Sequence, residues 1–153
     1  MAPLDPIRAL RVLEHVHGHL GWLAAAGLLH PAILLRNLRR RAHLSVALAT
    51  GFVTFVGALG AYIYGPYRDI VKQKLFIEAP QVGFLFERKE HLAFGAVMLA
   101  WAGAAAYFAA ARTTDDSLRL PLRKFAFHAF VFSCVLTTIV ACLGIAVAVV
   151  RTF

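Results

Sequence analysis

Seven histidines are the residues of this 153-residue chain whose type and spacing could do chemistry. A neutral imidazole binds iron, copper or zinc through one ring nitrogen and moves protons near neutral pH. His15, His17, His19 and His30 lie in the first long apolar run, and His43, His91 and His128 stand near the starts of three others. At about 100° per residue, His15, His19 and His30 fall on one helical stripe, while His17 is turned about 200° from His15. His17 is therefore expected to look away from the stripe, toward headgroups or a neighbouring helix. A rise of about 1.5 Å per residue separates His19 from His30 by about 16 Å, so the stripe can serve two sites at different depths.

The elements that must carry these side chains are unusually apolar. The chain is 60% hydrophobic and 16% charged, against roughly 45–50% and 25% in an ordinary soluble domain. Asp, Glu, Lys and Arg are absent from His15–Leu35, Ala42–Tyr67, His91–Ala111 and Phe125–Val150, and each stretch reaches the length of about 20 residues that crosses a bilayer as a helix. These runs predict an all-α, up-down four-helix bundle integral to the membrane. It forms one domain, residues 1–153, with spans at about 12–35, 43–65, 91–111 and 125–150 and both termini on the same side. The N-terminal residues lack the apolar core of a cleavable signal, so the first run is read as a retained span. The net charge of +8 sits between uncharged runs, which argues against a nucleic-acid partner. Cys134 and Cys142 lie in one span, about 12 Å apart on a straight helix, too far to pair.

The short connection Arg36-Asn-Leu-Arg-Arg-Arg41 is the basic loop that the positive-inside rule keeps in the cytoplasm. It places both termini outside, most naturally at a bacterial inner membrane. Pro66, among Tyr62, Tyr64 and Tyr67, is expected to stop the second helix at the outer interface. Residues 68–90 mix Ile70, Leu75, Phe76 and Phe84 with charges and read as a segment lying in the interface, able to roof an outer site. With this topology His15, His19 and His91 lie toward the outer face, and His30, His43 and His128 toward the inner one. Small or polar stripes accompany them: Thr50, Thr54 and Gly57 below His43, and Gly95, Ala102 and Ala105 below His91. Such stripes suit close helix packing or a planar cofactor.

A b-type haem in a membrane needs two imidazoles from facing helices, small residues beside the porphyrin and cations at its propionates. The outer candidate pairs His15 or His19 with His91; the inner one pairs His30 with His128, with His43 in reserve. Arg36, Arg39, Arg40, Arg41, Arg123 and Lys124 are inner propionate candidates, and Arg11, Arg88 and Lys89 outer ones. Glu14, Glu87, Glu90 and Tyr64 are candidates to accept protons or hydrogen bonds from an interfacial quinol. The competing chemistry is a copper, zinc or iron site collected from Glu14, His15, His17, His19, Glu87, Glu90 and His91 at the outer face. His-x-His-x-His on an intact helix offers at most two of its imidazoles to one ion.

On these positions the chain resembles the four-helix, di-haem b-type cytochromes of membranes, which hold haem between histidines of different helices. That resemblance implies one or two bis-histidine haems and electron transfer between a quinone and a partner protein at the outer face. A looser similarity to four-span copper-resistance membrane proteins supports the metal-handling alternative. A third reading is an anchor subunit, haem-binding or non-catalytic, of a larger respiratory complex; a homodimer through the small-residue faces also stays open.

Overall fold

A computed structural model describes residues 6–38 and 41–150. Among them every regular element is helical: α1 (Pro6–Arg36), α2 (His43–Tyr67), a π-helical turn (Arg68–Lys72), α3 (Gln73–Glu78), α4 (Pro80–Arg112) and α5 (Asp116–Val150). Four rods are long and apolar enough to cross a membrane, the second being α2, the π turn and α3 taken as one 36-residue unit. The protein is an all-α four-helix membrane bundle. Consecutive rods run antiparallel and close a ring in which α1 touches α2 and α5, and α4 touches α5 and α2. The α4–α5 seam is the most extensive contact and the α2–α4 seam the thinnest.

Small residues explain the tight seam. Ala96, Ala100, Gly103 and Ala104 of α4 are buried, as are Ala126, Ala129, Phe130 and Ser133 of α5. A Cβ on Gly103 would stand 3.1 Å from the Ala129 Cβ, so the backbones approach as small-residue faces allow in lipid. The Ser133 hydroxyl donates to the Ala96 carbonyl at 2.8 Å, and Cys134 Sγ–H to the Ala25 carbonyl at 3.3 Å. These bonds tie α5 to α4 and to α1 at membrane depth, where water offers no competing partner.

Two expectations for residues 66–90 are overturned. Pro66 does not end the second helix; it lies inside α2, and the rod continues to Glu78. The i→i+5 turn at Arg68–Lys72 immediately after it absorbs the misfit that a proline makes with the preceding carbonyl. Nor does the segment lie flat. It stands up as a helical hairpin, reversed at the single non-helical residue Ala79, with Pro80 at the first turn of α4, where its missing N–H costs nothing. Apolar faces hold the arms together through Val71, Leu75 and Phe86, and Phe76 seats its ring 3.0 Å from where a Gly83 Cβ would be. The 36-residue rod is about 54 Å long against a hydrocarbon core of about 30 Å, so the hairpin rises beyond the membrane.

At the opposite end two side chains pin the basic loop. The Ala42 N–H donates to the buried Tyr107 hydroxyl at 2.6 Å, and Arg123 donates to the Leu38 carbonyl. The loop is thereby fastened to α4 and α5, and it fixes where α2 begins. Thr113 to Asp115 make the last turn, and Asp115 caps α5 by accepting from the Ser117 N–H at 2.8 Å.

Candidate functional site

An open recess lies between α1 and α2 at the basic-loop end. It has a volume of about 640 Å³, is open on one side, and includes His30, Arg41, His43 and Ser45 in its lining. Gly27 of α1 and Ala49 of α2 keep it open, and Leu34, Leu48 and Phe52 make its walls apolar. A Cβ on Gly27 would meet nothing within 4 Å, so the surroundings of residue 27 are open.

Both imidazoles are oriented. His30 Nδ1 is 2.9 Å from the Ser45 hydroxyl, which leaves Nε2 for another partner. His43 stacks on Phe108, centroids 6.0 Å apart at 24°, and meets the edge of Tyr107 at 5.3 Å. Tyr107 is the same side chain that fastens the loop before His43, so one buried aromatic sets both the start of α2 and the pose of its first imidazole. His30 of α1, His43 of α2 and Arg41, all exposed, border a mainly apolar recess, with the His43 ring packed against Tyr107 and Phe108 of α4.

The expected partnerships are rearranged. His128 lies exposed on α5 and does not line the cavity with His30; His43 does. His15, His19 and His91 are also exposed. His91 lines a shallower recess of about 350 Å³ with Tyr64, Glu90 and Phe94, without His15 or His19. The stripe running from His91 through Met98 and Ala105, and that from His128 through Phe132 and Ile139, face outward. The α4–α5 seam is built from Ala96, Ala100, Gly103 and Ala104 against Ala126, Ala129, Phe130 and Ser133, and the His91 and His128 stripes lie away from it.

His17 meets a neighbouring helix, one of the two surroundings expected for it. It is half-buried and its ring lies over Gly60 of α2, where an added Cβ would come within 2.9 Å of Cε1. The 200° rotation that separates it from His15 turns it into the bundle, because the stripe it avoids is the exposed one. Gly60 was the available signal, since a bare position on a neighbouring helix can admit a ring.

Three of the exposed imidazoles share a local geometry. Nδ1 of His15, His91 and His128 lies 2.8 Å from the carbonyl of Arg11, Glu87 and Lys124 respectively, each four residues earlier. A carbonyl only accepts, so Nδ1 carries the proton, and in the neutral ring Nε2 presents its lone pair outward. That is the orientation of a metal-ligating histidine, but each stands alone. Among the described residues no three His, Cys, Asp or Glu side chains gather as a metal-binding group.

The other sequence candidates divide between the two ends. Arg36 and Lys124 are exposed at the basic-loop end, whereas Arg39 and Arg40 lie outside the described residues. At the hairpin end Arg11 and Arg88 are exposed and Lys89 is half-buried, its ammonium 4.6 Å from the Phe86 ring centroid. Lys72, not singled out from the sequence, organises the polar groups there. Its ammonium lies 3.2 Å from Glu87 and 3.9 Å from Glu90, and it donates to the Tyr64 hydroxyl at 3.2 Å. Its position two turns beyond Tyr64 becomes meaningful only because the helix runs through Pro66.

Comparison with known families, curated proteins and solved structures finds no match for this chain. The class defined by the fold is a four-helix membrane bundle with an imidazole-lined lateral cavity.

Proposed function

We propose that the protein is a membrane b-type cytochrome that holds one haem in the α1–α2 cavity, with His30 and His43 as the iron ligands. The observation that carries this reading is that His30 of α1 and His43 of α2 both border one open-sided, largely apolar recess with Arg41 at its rim. A volume of about 640 Å³ falls within the range of sites for large organic ligands. Ser45 and Phe108 hold the two rings, Arg41 suits a propionate carboxylate, and Gly27 leaves space for a flat macrocycle. Bound haem would supply one-electron transfer.

The membrane quinone is the proposed electron partner, meeting the cavity from the lipid side, with a protein at the outer face as the other. The basic-loop end then faces the cytoplasm of a bacterial inner membrane. The recess of Tyr64, Glu90 and His91 cannot serve the same centre directly. Tyr64 and His43 are 21 residues apart on one helix, about 32 Å.

The test is the spectrum and cofactor content of the protein purified in mild detergent. A Soret band and a haem b signal in pyridine extract are expected. His30→Ala and His43→Ala each lower haem content at least fivefold, while His17→Ala, His91→Ala and His128→Ala retain it. A colourless protein overturns the cytochrome reading. Stoichiometric copper in its place promotes metal handling, and a soluble partner co-purifying with a colourless chain promotes the anchor subunit.

A further inference from the structure

Charge is spread unevenly between the two ends of the bundle. Residues 68–90, which form the hairpin end, hold five Lys and Arg against four acids, whereas segments 36–41 and 112–124 hold eight against two, Asp115 and Asp116. Both of those acids are engaged locally. Asp116 pairs with Arg119 at 2.7 Å, and the Asp115 carboxylate accepts from the Ser117 N–H and hydroxyl. Among the described residues no ion pair neutralises Arg36 or Lys124, and both side chains are exposed.

These two cations stand at a common depth. Arg123 donates to the Leu38 carbonyl, which brings the start of the α5 span level with the end of α1. Lys124 is the residue after Arg123, and Arg36 lies two residues before Leu38, at most about 8 Å along the chain. Each heads a mainly apolar stripe that runs into the membrane. Arg36, Ile33 and Leu29 on α1, and Lys124, His128 and Phe132 on α5, follow the three-and-four spacing of one helical face, and all six are exposed. A cation above exposed hydrocarbon is thus repeated on two helices that touch.

We propose that the basic-loop ends of α1 and α5 form a docking surface for anionic phospholipid, with the phosphate taken by Arg36 and Lys124 and the acyl chains lying along Leu29, Ile33 and Phe132. The charge is complementary: a guanidinium offers paired N–H donors to a phosphate and an ammonium adds a point charge, with no carboxylate of the chain competing for either. The apolar stripes separate a lipid from a soluble anion, which would meet the cations but gain nothing from the side chains below them. At the hairpin end the nearly balanced charge gives an anionic headgroup no such preference. The inference uses neither His30, His43 nor Arg41, so it stands independently of the haem site.

The lipid retained by the full chain tests this. The protein is extracted in mild detergent from vesicles of mixed phosphatidylcholine and phosphatidylglycerol, and bound lipid is identified by native mass spectrometry. A basic side chain near a membrane surface strengthens anionic-lipid binding about fivefold, so phosphatidylglycerol is expected to be enriched about fivefold or more over its share of the vesicle. Arg36→Gln/Lys124→Gln should lose the enrichment, while Arg68→Gln/Arg88→Gln, the same change of charge at the hairpin end, should keep it, as should the charge-conserving Arg36→Lys/Lys124→Arg. A wild-type chain that shows no enrichment overturns the proposal, and so does enrichment that survives Arg36→Gln/Lys124→Gln. Displacement of the lipid by inorganic phosphate, beyond that by chloride at equal ionic strength, also overturns it by assigning the cations to a free anion. If the double variant fails to fold, Arg36→Gln and Lys124→Gln carry the same test singly: each should reduce the enrichment at least twofold, and unchanged retention in both overturns the docking surface.

Discussion

The two ends of the bundle make opposite use of histidine. The hairpin end has four, His15, His17, His19 and His91, yet each points somewhere different: three outward and one into the helix interior. The basic-loop end has three, and two of them share a cavity. The number of potential ligands does not make a site. What counts is whether the rotation of each helix, fixed by its packing face, brings two of them into one space. At the basic-loop end Tyr107 and Arg123 secure the connection and so the register of α1 against α2. At the hairpin end the polar side chains pair among themselves around Lys72.

Filling the cavity should break this contrast most sharply. Gly27→Phe leaves His30 and His43 in place but occupies the space beside them, and haem content is expected to fall at least tenfold. Gly51→Phe, at an exposed position with open surroundings, should leave it unchanged. Equal retention in the two variants would separate the cofactor from this cavity.

A smaller effect is expected at the loop clasp. Tyr107→Phe removes the acceptor for the buried Ala42 N–H, and losing that bond should cost about 1–3 kcal/mol. Thermal unfolding in detergent measures it, together with a few-fold faster loss of haem, since His43 rests against the same ring. Lys72→Met at the hairpin end should cost about 1 kcal/mol or less, because its carboxylate partners are partly exposed and such pairs are weak. It should not alter haem content at all. A spectral change in Lys72→Met would show that the two ends communicate.

The smallest expected effect is the pH response of the α5 cap. The Ser117 hydroxyl and backbone N–H both bond to the Asp115 carboxylate and hold it below its ordinary value. With the folded-state pKa lowered, the contribution is complete above the ordinary carboxylate range and is lost as pH falls through the depressed value. Asp115→Asn should flatten that slight acid sensitivity in thermal melts taken between pH 6 and pH 3. An unchanged slope would assign it to another carboxylate.

Much of the architecture could be read before any coordinates. Four charge-free runs, the breaks at Arg36–Arg41 and Thr113–Asp115, and the common side of the termini follow from hydropathy and helix length. The hairpin was less legible, because Pro66 among tyrosines carries the usual signs of a helix end. Only the π turn after it and the apolar arms that follow show why the rod continues. The candidate site was legible in its residue types and in the depths of its histidines, but not in its pairing. His30 was expected to meet His128 and instead shares its cavity with His43. The stripes of α4 and α5 that carry His91 and His128 lie away from the closely packed α4–α5 seam and face outward.

The sequence by itself determined that this chain enters a membrane as four helices with imidazoles at two depths, because helix period, span length and charge-free runs are local properties. The tertiary structure decided which imidazoles border the same recess. That choice depends on the azimuth of each helix, and the azimuth is set by where neighbouring backbones can approach most closely, at Gly103 against Ala129 and at Ala96 beneath Ser133. A bare position on a facing helix likewise admits the His17 ring over Gly60.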